Sequence, residues 1–287
     1  MDNFLNKNEA VVVGTLVDNG LEIKESQGGQ TYITGNITVK STIEGEEQVF
    51  EFRLFSFQYK KGTTEINGLF RTYSNLDTKI GSRIKVIGAI EENRFFQERT
   101  GQIVSFNFNA GRFIYDVTDK TPDSATFEFA GYVDKPVHEK TNKDGDILHY
   151  ELTLGQANYN GTKPIMVKFQ VPADNKRAVS YMERNYEKGS TVTINGNLKV
   201  EIEKITKEEE VAFGDPIVKE YINTFKAYQI VSGSEPIFGK NEYTNAVIRN
   251  FANVYEDEAV EIQNKAKDRV RSQGTAGAKK TSATSLL

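Results

Sequence analysis

The sequence predicts a mostly β protein of two similar small barrels in tandem, followed by a helical segment. Three observations lead there. First, Gly81-Ser82-Arg83-Ile84-Lys85-Val86-Ile87-Gly88 returns 108 positions later as Gly189-Ser190-Thr191-Val192-Thr193-Ile194-Asn195-Gly196. Each copy is an alternating strand between two glycines, as suits a half-buried strand bounded by a turn and a bulge. Second, the register spreads: Gly14 answers Gly131 and Phe52 answers Phe169 at an offset of 117. About nine residues are then missing from the second connector. Third, most segments alternate polar and apolar residues with a period of two, and 18 Phe and 13 Tyr favour pleated sheets and stacking surfaces.

The first half opens with a strand over 10–17 and a turn signal at Asp18-Asn19-Gly20. A short run at Leu21–Lys24 and the turn Ser26–Gln30 precede a cleanly alternating strand, Thr31–Lys40. Polar Ser41–Gln48 reads as a hairpin loop or finger, and Val49–Phe57 as the next strand, with Phe50, Phe52 and Leu54 on one face. Gln58–Lys79 loses the strict period and reads as a crossover helix or ordered loop. The repeated strand follows, then a hairpin tip over Glu92–Gln102 and a closing strand over 103–115. A meander, a connector and a final strand pair make the order of an OB-fold.

Thr118–Ala125 is the natural boundary, and the second half repeats the series. Strands begin at Thr126 and Ile147, with a third over Ile165–Val171. Asn175–Tyr186 is a helix with Ala178, Val179, Met182 and Tyr186 near one face. The repeated strand continues to an acidic tip at Glu208–Glu210, and 219–231 closes the ring. The expected fold is therefore two tandem OB-like five-stranded barrels with a C-terminal helical segment. The expected divisions are 1–120, 121–238, a helix over 239–271 and a flexible tail over 272–287. That helix either packs on the second barrel or serves a partner or self-association.

Chemistry is bounded by what is scarce. The chain holds no cysteine and two histidines, so thiolate metal sites and cysteine nucleophiles are excluded, and no metal or cofactor is expected. No Walker loop, His-x-x-x-His pair or nucleophile elbow occurs, and the expectation is a binding protein rather than an enzyme. Met1–Glu9 lacks a basic region followed by an apolar run, and no stretch suits a membrane span, so a cytoplasmic setting is expected. Net charge is −4, divided as about −2, −4 and +2 over the two halves and the tail. Any nucleic-acid site is thus a local basic and aromatic groove.

Such a groove has candidates. In the first half they are Tyr32, Arg53, Phe55, Phe57, Tyr59, Lys60 and Lys61, with Arg94, Phe95, Phe96 and Arg99 on the second hairpin. In the second half they are His149, Tyr150, Tyr159, Lys163 and Lys168. Bases would stack on the rings while cations meet phosphates. Phe55 and Phe57 are either that stacking pair or two core rings on a bulged strand. Arg94 and Arg99 either meet phosphates or pair with Glu91, Glu92 and Glu98.

Over about 10–231, the two-barrel order and aromatic hairpins resemble single-stranded DNA-binding proteins of bacteriophages infecting Gram-positive bacteria. The resemblance implies binding and protection of single-stranded DNA during replication or recombination, in the cytoplasm of an infected bacterial cell. Stacking would fall to Phe55, Phe57, Phe95 and Phe96, and replication or recombination proteins would be partners. The alternative is a structural or adaptor protein of a phage particle, its barrels serving protein contacts.

Overall fold

The structure, a computed structural model, describes residues 6–209 and 217–278, with side chains described over 6–200 and 226–268. In the first half, β1 (Asn8–Asn19), β2 (Glu22–Glu25), β3 (Thr31–Ile43) and β4 (Glu46–Phe57) precede α1 (Gly68–Tyr73), β5 (Arg83–Gln97) and β6 (Gln102–Asp116). Strand β1 runs antiparallel to both β3 and β5, β3 to β4, and β5 to β6. Strand β4 meets β6 in parallel at Phe52–Asn109 and Arg53–Ala110, closing a ring. The second half repeats this with β7 (Ser124–Thr141), β8 (Ile147–Ala157), β9 (Pro164–Pro172), α2 (Lys176–Asn185), β10 (Thr191–Glu209) and β11 (Ile217–Gly233). Its parallel seam is the single pair Gln170–Gln229, so both rings are thin there. Both have the strand order and helix position of an OB barrel. Because β1 also pairs with β7, the eleven strands form one continuous sheet.

The repeated glycines have a structural cause. Strand β5 bulges between Ile87 and Gly88, and β10 between Asn195 and Gly196. A Cβ on Gly88 would collide with the backbone oxygen of Ala110, and one on Gly196 with that of Gln229. Rigid backbone cannot yield cheaply. Gly196→Ala is expected to destabilise the protein by about 1–3 kcal/mol, read as a lower midpoint in urea unfolding.

The helices repeat as well. Asn67 caps α1 by accepting from the Leu69 amide, and Asn175 caps α2 by accepting from that of Ala178. Each helix seats a buried tyrosine at its end: Tyr73 donates to the Arg112 carbonyl at 2.8 Å and Tyr186 to that of Ser234 at 2.6 Å. Burial pushes both phenols up to about 12.

Two expectations about loops are corrected. Ser41–Gln48 is mostly strand, and its turn is only Glu44-Gly45, both at positive φ (55° and 88°), which twists with the flanking strands. The pairing of β5 with β6 persists to Gln97–Gln102, so Arg94, Phe95 and Phe96 lie in a strand and the tip is residues 98–101.

The halves are related by an approximate internal two-fold. Ala10 and Phe127, equivalent at the 117 offset, face each other in the β1–β7 pair. Asn109 and Tyr228, at matching places on β6 and β11, hydrogen-bond to each other at 3.2 Å. Each barrel leans its last hairpin on the other. The Asn107 side chain donates to the Met166 carbonyl and accepts from the Lys168 amide on β9, while Lys226 of β11 pairs with Glu51 of β4.

Helix α3 (Asn245–Ala278) fastens this joint. Tyr243 and Phe251 are buried with Tyr132 and Ala157. The Tyr255 hydroxyl donates to Glu92, while Glu92 also accepts from the Met166 amide. Glu258 bridges Arg94 of the first barrel and Lys163 of the second, at 3.1 and 2.6 Å. The helix therefore packs on both barrels, not the second alone. It also continues past Arg271, where a flexible tail is expected from 272; the remainder of that tail, and Glu210 of the acidic tip, lie outside the described residues.

Burial raises the Glu258 carboxyl, but Lys163 and Arg94 outweigh it and hold the group below the ordinary 4.5. A carboxylate depressed by folding stabilises above its unfolded pKa and loses that contribution as pH falls through its folded value. Hydrogen-exchange protection of the α3 turns around Glu258, taken relative to the intrinsic rate at each pH, is accordingly expected to fall below about pH 4.5, and Glu258→Ala to produce the same loosening at neutral pH.

Candidate nucleic-acid interface

Strand β4 alternates without a bulge, so Phe50, Phe52, Leu54 and Ser56 enter the core while Arg53, Phe55 and Phe57 face outward. Burying Ser56 leaves both phenylalanines outside. Phe55 is 50% exposed and Phe57 42%. Tyr32 stands across from Phe57 on β3, and the three rings touch, with centroids 5.5, 6.2 and 5.0 Å apart. They support one another against lateral movement yet keep faces and edges in water, a costly arrangement for isolated apolar rings.

The cluster continues in both directions. Beyond Phe57 the chain turns through Tyr59, Lys60 and Lys61, held by the Tyr59–Ile66 bridge and the Lys60 amide on the Glu65 carbonyl. With Gln30, Thr31 and Thr64 these residues line a groove of about 950 Å³. Below Phe55, the Arg53 guanidinium lies 5.8 Å from the Phe108 ring centroid. From Glu51 to Tyr59 the strand runs about 26 Å, room for several nucleotides along one face.

The β5–β6 hairpin divides its candidates. Phe95 is exposed and meets Phe106, which meets Phe108, both at 6.2 Å. Arg94 is directed to the opposite face: its side chain is 9% exposed, lies 3.5 Å from the Tyr255 ring and donates to the Tyr255 carbonyl and Glu258. It is a fastener of α3, which corrects its expected place beside phosphates and replaces its expected pairing with adjacent glutamates. Alternation puts Phe96, half-buried, on the Arg94 side. Arg99 is exposed at the tip.

Among the described residues of the second barrel the aromatic cluster has no counterpart. Where β4 carries Arg53 and Phe55, β9 carries Gln170 and Pro172, and His149 faces Pro172 across the pair. Tyr150 alternates inward and packs on the core, which corrects its expectation as an exposed stacking ring. Tyr159 is 82% exposed, with Arg112 5.5 Å from its ring. Lys163 is bonded to Glu258, whereas Lys168 is exposed on the outer face of β9. Sequence reasoning passed over Phe106, Phe108 and Lys226. The Phe-x-Phe alternation opposite Phe95 was a signal for the first two; Lys226 reaches the site only through the joint between barrels.

These features define a tandem OB-barrel protein with one aromatic outer face. The family model YorF matches residues 7–267, and the chain belongs to that family. No curated protein matches it. Among solved structures, the wild-type single-stranded DNA binding protein from Thermus aquaticus is similar with a TM-score of 0.52 and 13% identity, covering 84% of this chain and 98% of that one. A deletion mutant of the Thermus protein gives a TM-score of 0.50 and 14% identity, over 82% and 96%. At such identities the likeness establishes the fold.

Proposed function

We propose that this protein binds single-stranded DNA with little sequence preference through the outer face of β3 and β4. The observation that carries the reading is the mutually supported yet exposed cluster of Tyr32, Phe55 and Phe57, flanked by Arg53, Lys60 and Lys61. Any base offers a π-face to such rings, and the flanking cations supply the phosphate contacts that a chain of net charge −4 must concentrate locally. Phe95 extends the surface, and Tyr159, His149 and Arg99 are secondary contacts. That the similar Thermus aquaticus proteins bind single-stranded DNA supports DNA as the ligand. The role is non-catalytic protection of strands in replication or recombination; the bacteriophage setting and infected-cell cytoplasm rest on the sequence resemblance alone.

Competition of unlabelled single-stranded DNA, RNA and duplex against a fluorescent oligonucleotide tests the reading. Single-stranded DNA is expected to displace best, and equal displacement by duplex would remove the stacking argument. Lys61→Ala is expected to lower the slope of log affinity against log salt by about 0.7, the share of one phosphate contact.

An adaptor role has one observation in its favour. Phe113 and Tyr115 stack at 6.4 Å on β6, both about half exposed and away from the β4 cluster. Tight self-association without nucleic-acid binding, lost in Tyr115→Ser, would favour that role.

A further inference from the structure

A cleft of about 830 Å³ separates the two barrels, bordered by α3. Thr153 lines it from β8. This residue is 3% exposed, and its Oγ1 atom has no hydrogen-bond partner among the described residues. An unsatisfied buried hydroxyl costs about 1–3 kcal/mol, so it marks a place where a ligand or water group belongs. Lys168, paired with Thr153 across the β8–β9 ladder, also lines the cleft, as do Lys226, Phe106 and Phe108. Phe106, Phe108 and Lys226 in turn line the groove that runs past Arg53 on the first barrel. The two depressions therefore share a rim.

We propose that a single strand leaving the aromatic face at Arg53 continues through this cleft into the second barrel. There a base lies against Phe106, a backbone phosphate meets Lys168 and Lys226, and a sugar or phosphate oxygen accepts from Thr153. The inference rests on the binding function proposed above and extends it to the second barrel, which supplies cations in place of stacking rings. Glu151 and Glu256 also border the cleft. Glu151 is within 3.7 Å of Lys140, which offsets it, and the strand's phosphates turn toward the lysine side. Lys226 exchanges its Glu51 partner for phosphate when the strand enters.

Oligonucleotides of about 8 and about 20 nucleotides separate the two barrels, because one OB barrel accommodates about 4–16. Lys168→Glu alters an exposed side chain and is compatible with folding. It is expected to leave 8-mer affinity within about twofold and to weaken the 20-mer by about tenfold or more, since it replaces a phosphate contact with a repulsion. Thr153→Val, which removes the orphaned hydroxyl at constant shape, is expected to weaken only the 20-mer while the free protein melts no earlier. If the wild type binds both lengths and neither variant discriminates between them, the cleft is not on the path, although the first-barrel function stands. If the wild type binds neither length, the binding function itself fails and the cleft proposal with it.

Discussion

Replacing Phe55 and Phe57 with alanine is expected to weaken single-stranded DNA binding by about 5- to 150-fold for each ring, from the about 1–3 kcal/mol that a base gains by stacking on an aromatic side chain. The two losses will not add fully, because the rings touch at 5.0 Å and removing one frees the other. Both project outward from a strand whose inward residues hold the core, so the double variant is expected to fold. Fluorescence anisotropy with a labelled oligonucleotide measures the loss, and unfolding by urea checks the fold. Wild-type affinity in a folded double variant would move the site elsewhere.

Phe169→Ala carries the largest expected effect on stability. This ring is fully buried on β9, with Phe127, Phe129 and Tyr228 at 5.3, 5.1 and 6.1 Å. Those neighbours come from β7 and β11, so the ring joins three strands of the second barrel. Its removal leaves a cavity that rigid strands cannot collapse, at a cost of about 3–5 kcal/mol. Against a typical stability of about 5–15 kcal/mol, this is a large fraction. Calorimetry is expected to show a much earlier melting transition. A change no larger than that of an exposed substitution would contradict the assignment of Phe169 to the core.

The barrels were legible because their constraints are local. Alternation sets which face of β4 is wet, and the bulges of β5 and β10 demand glycine at Gly88 and Gly196, so the duplication shows in the letters. Phe55 and Phe57 were legible as a pair but not as an exposed one: the choice turned on Ser56, which the sequence leaves free to occupy either face. Arg94 was misplaced because its partners, Tyr255 and Glu258, lie more than 160 positions away, and no periodicity links them. Tyr150 stands next to His149 among the candidates, and two adjacent strand residues cannot both face outward; only the packed core shows which of them turns in. The cleft was invisible for a related reason. It exists only once two hairpins and a helix from distant parts of the chain have been docked.

A salt titration of a fluorescent single-stranded oligonucleotide against the intact protein tests the central claim most directly. Binding is expected to be strong in low salt and to weaken linearly in log affinity against log salt, with a shallow slope that reflects a few phosphate contacts at Arg53, Lys60 and Lys61. Stacking should leave measurable affinity at high salt. Absence of binding at the lowest salt, where phosphate attraction is greatest, would contradict the account.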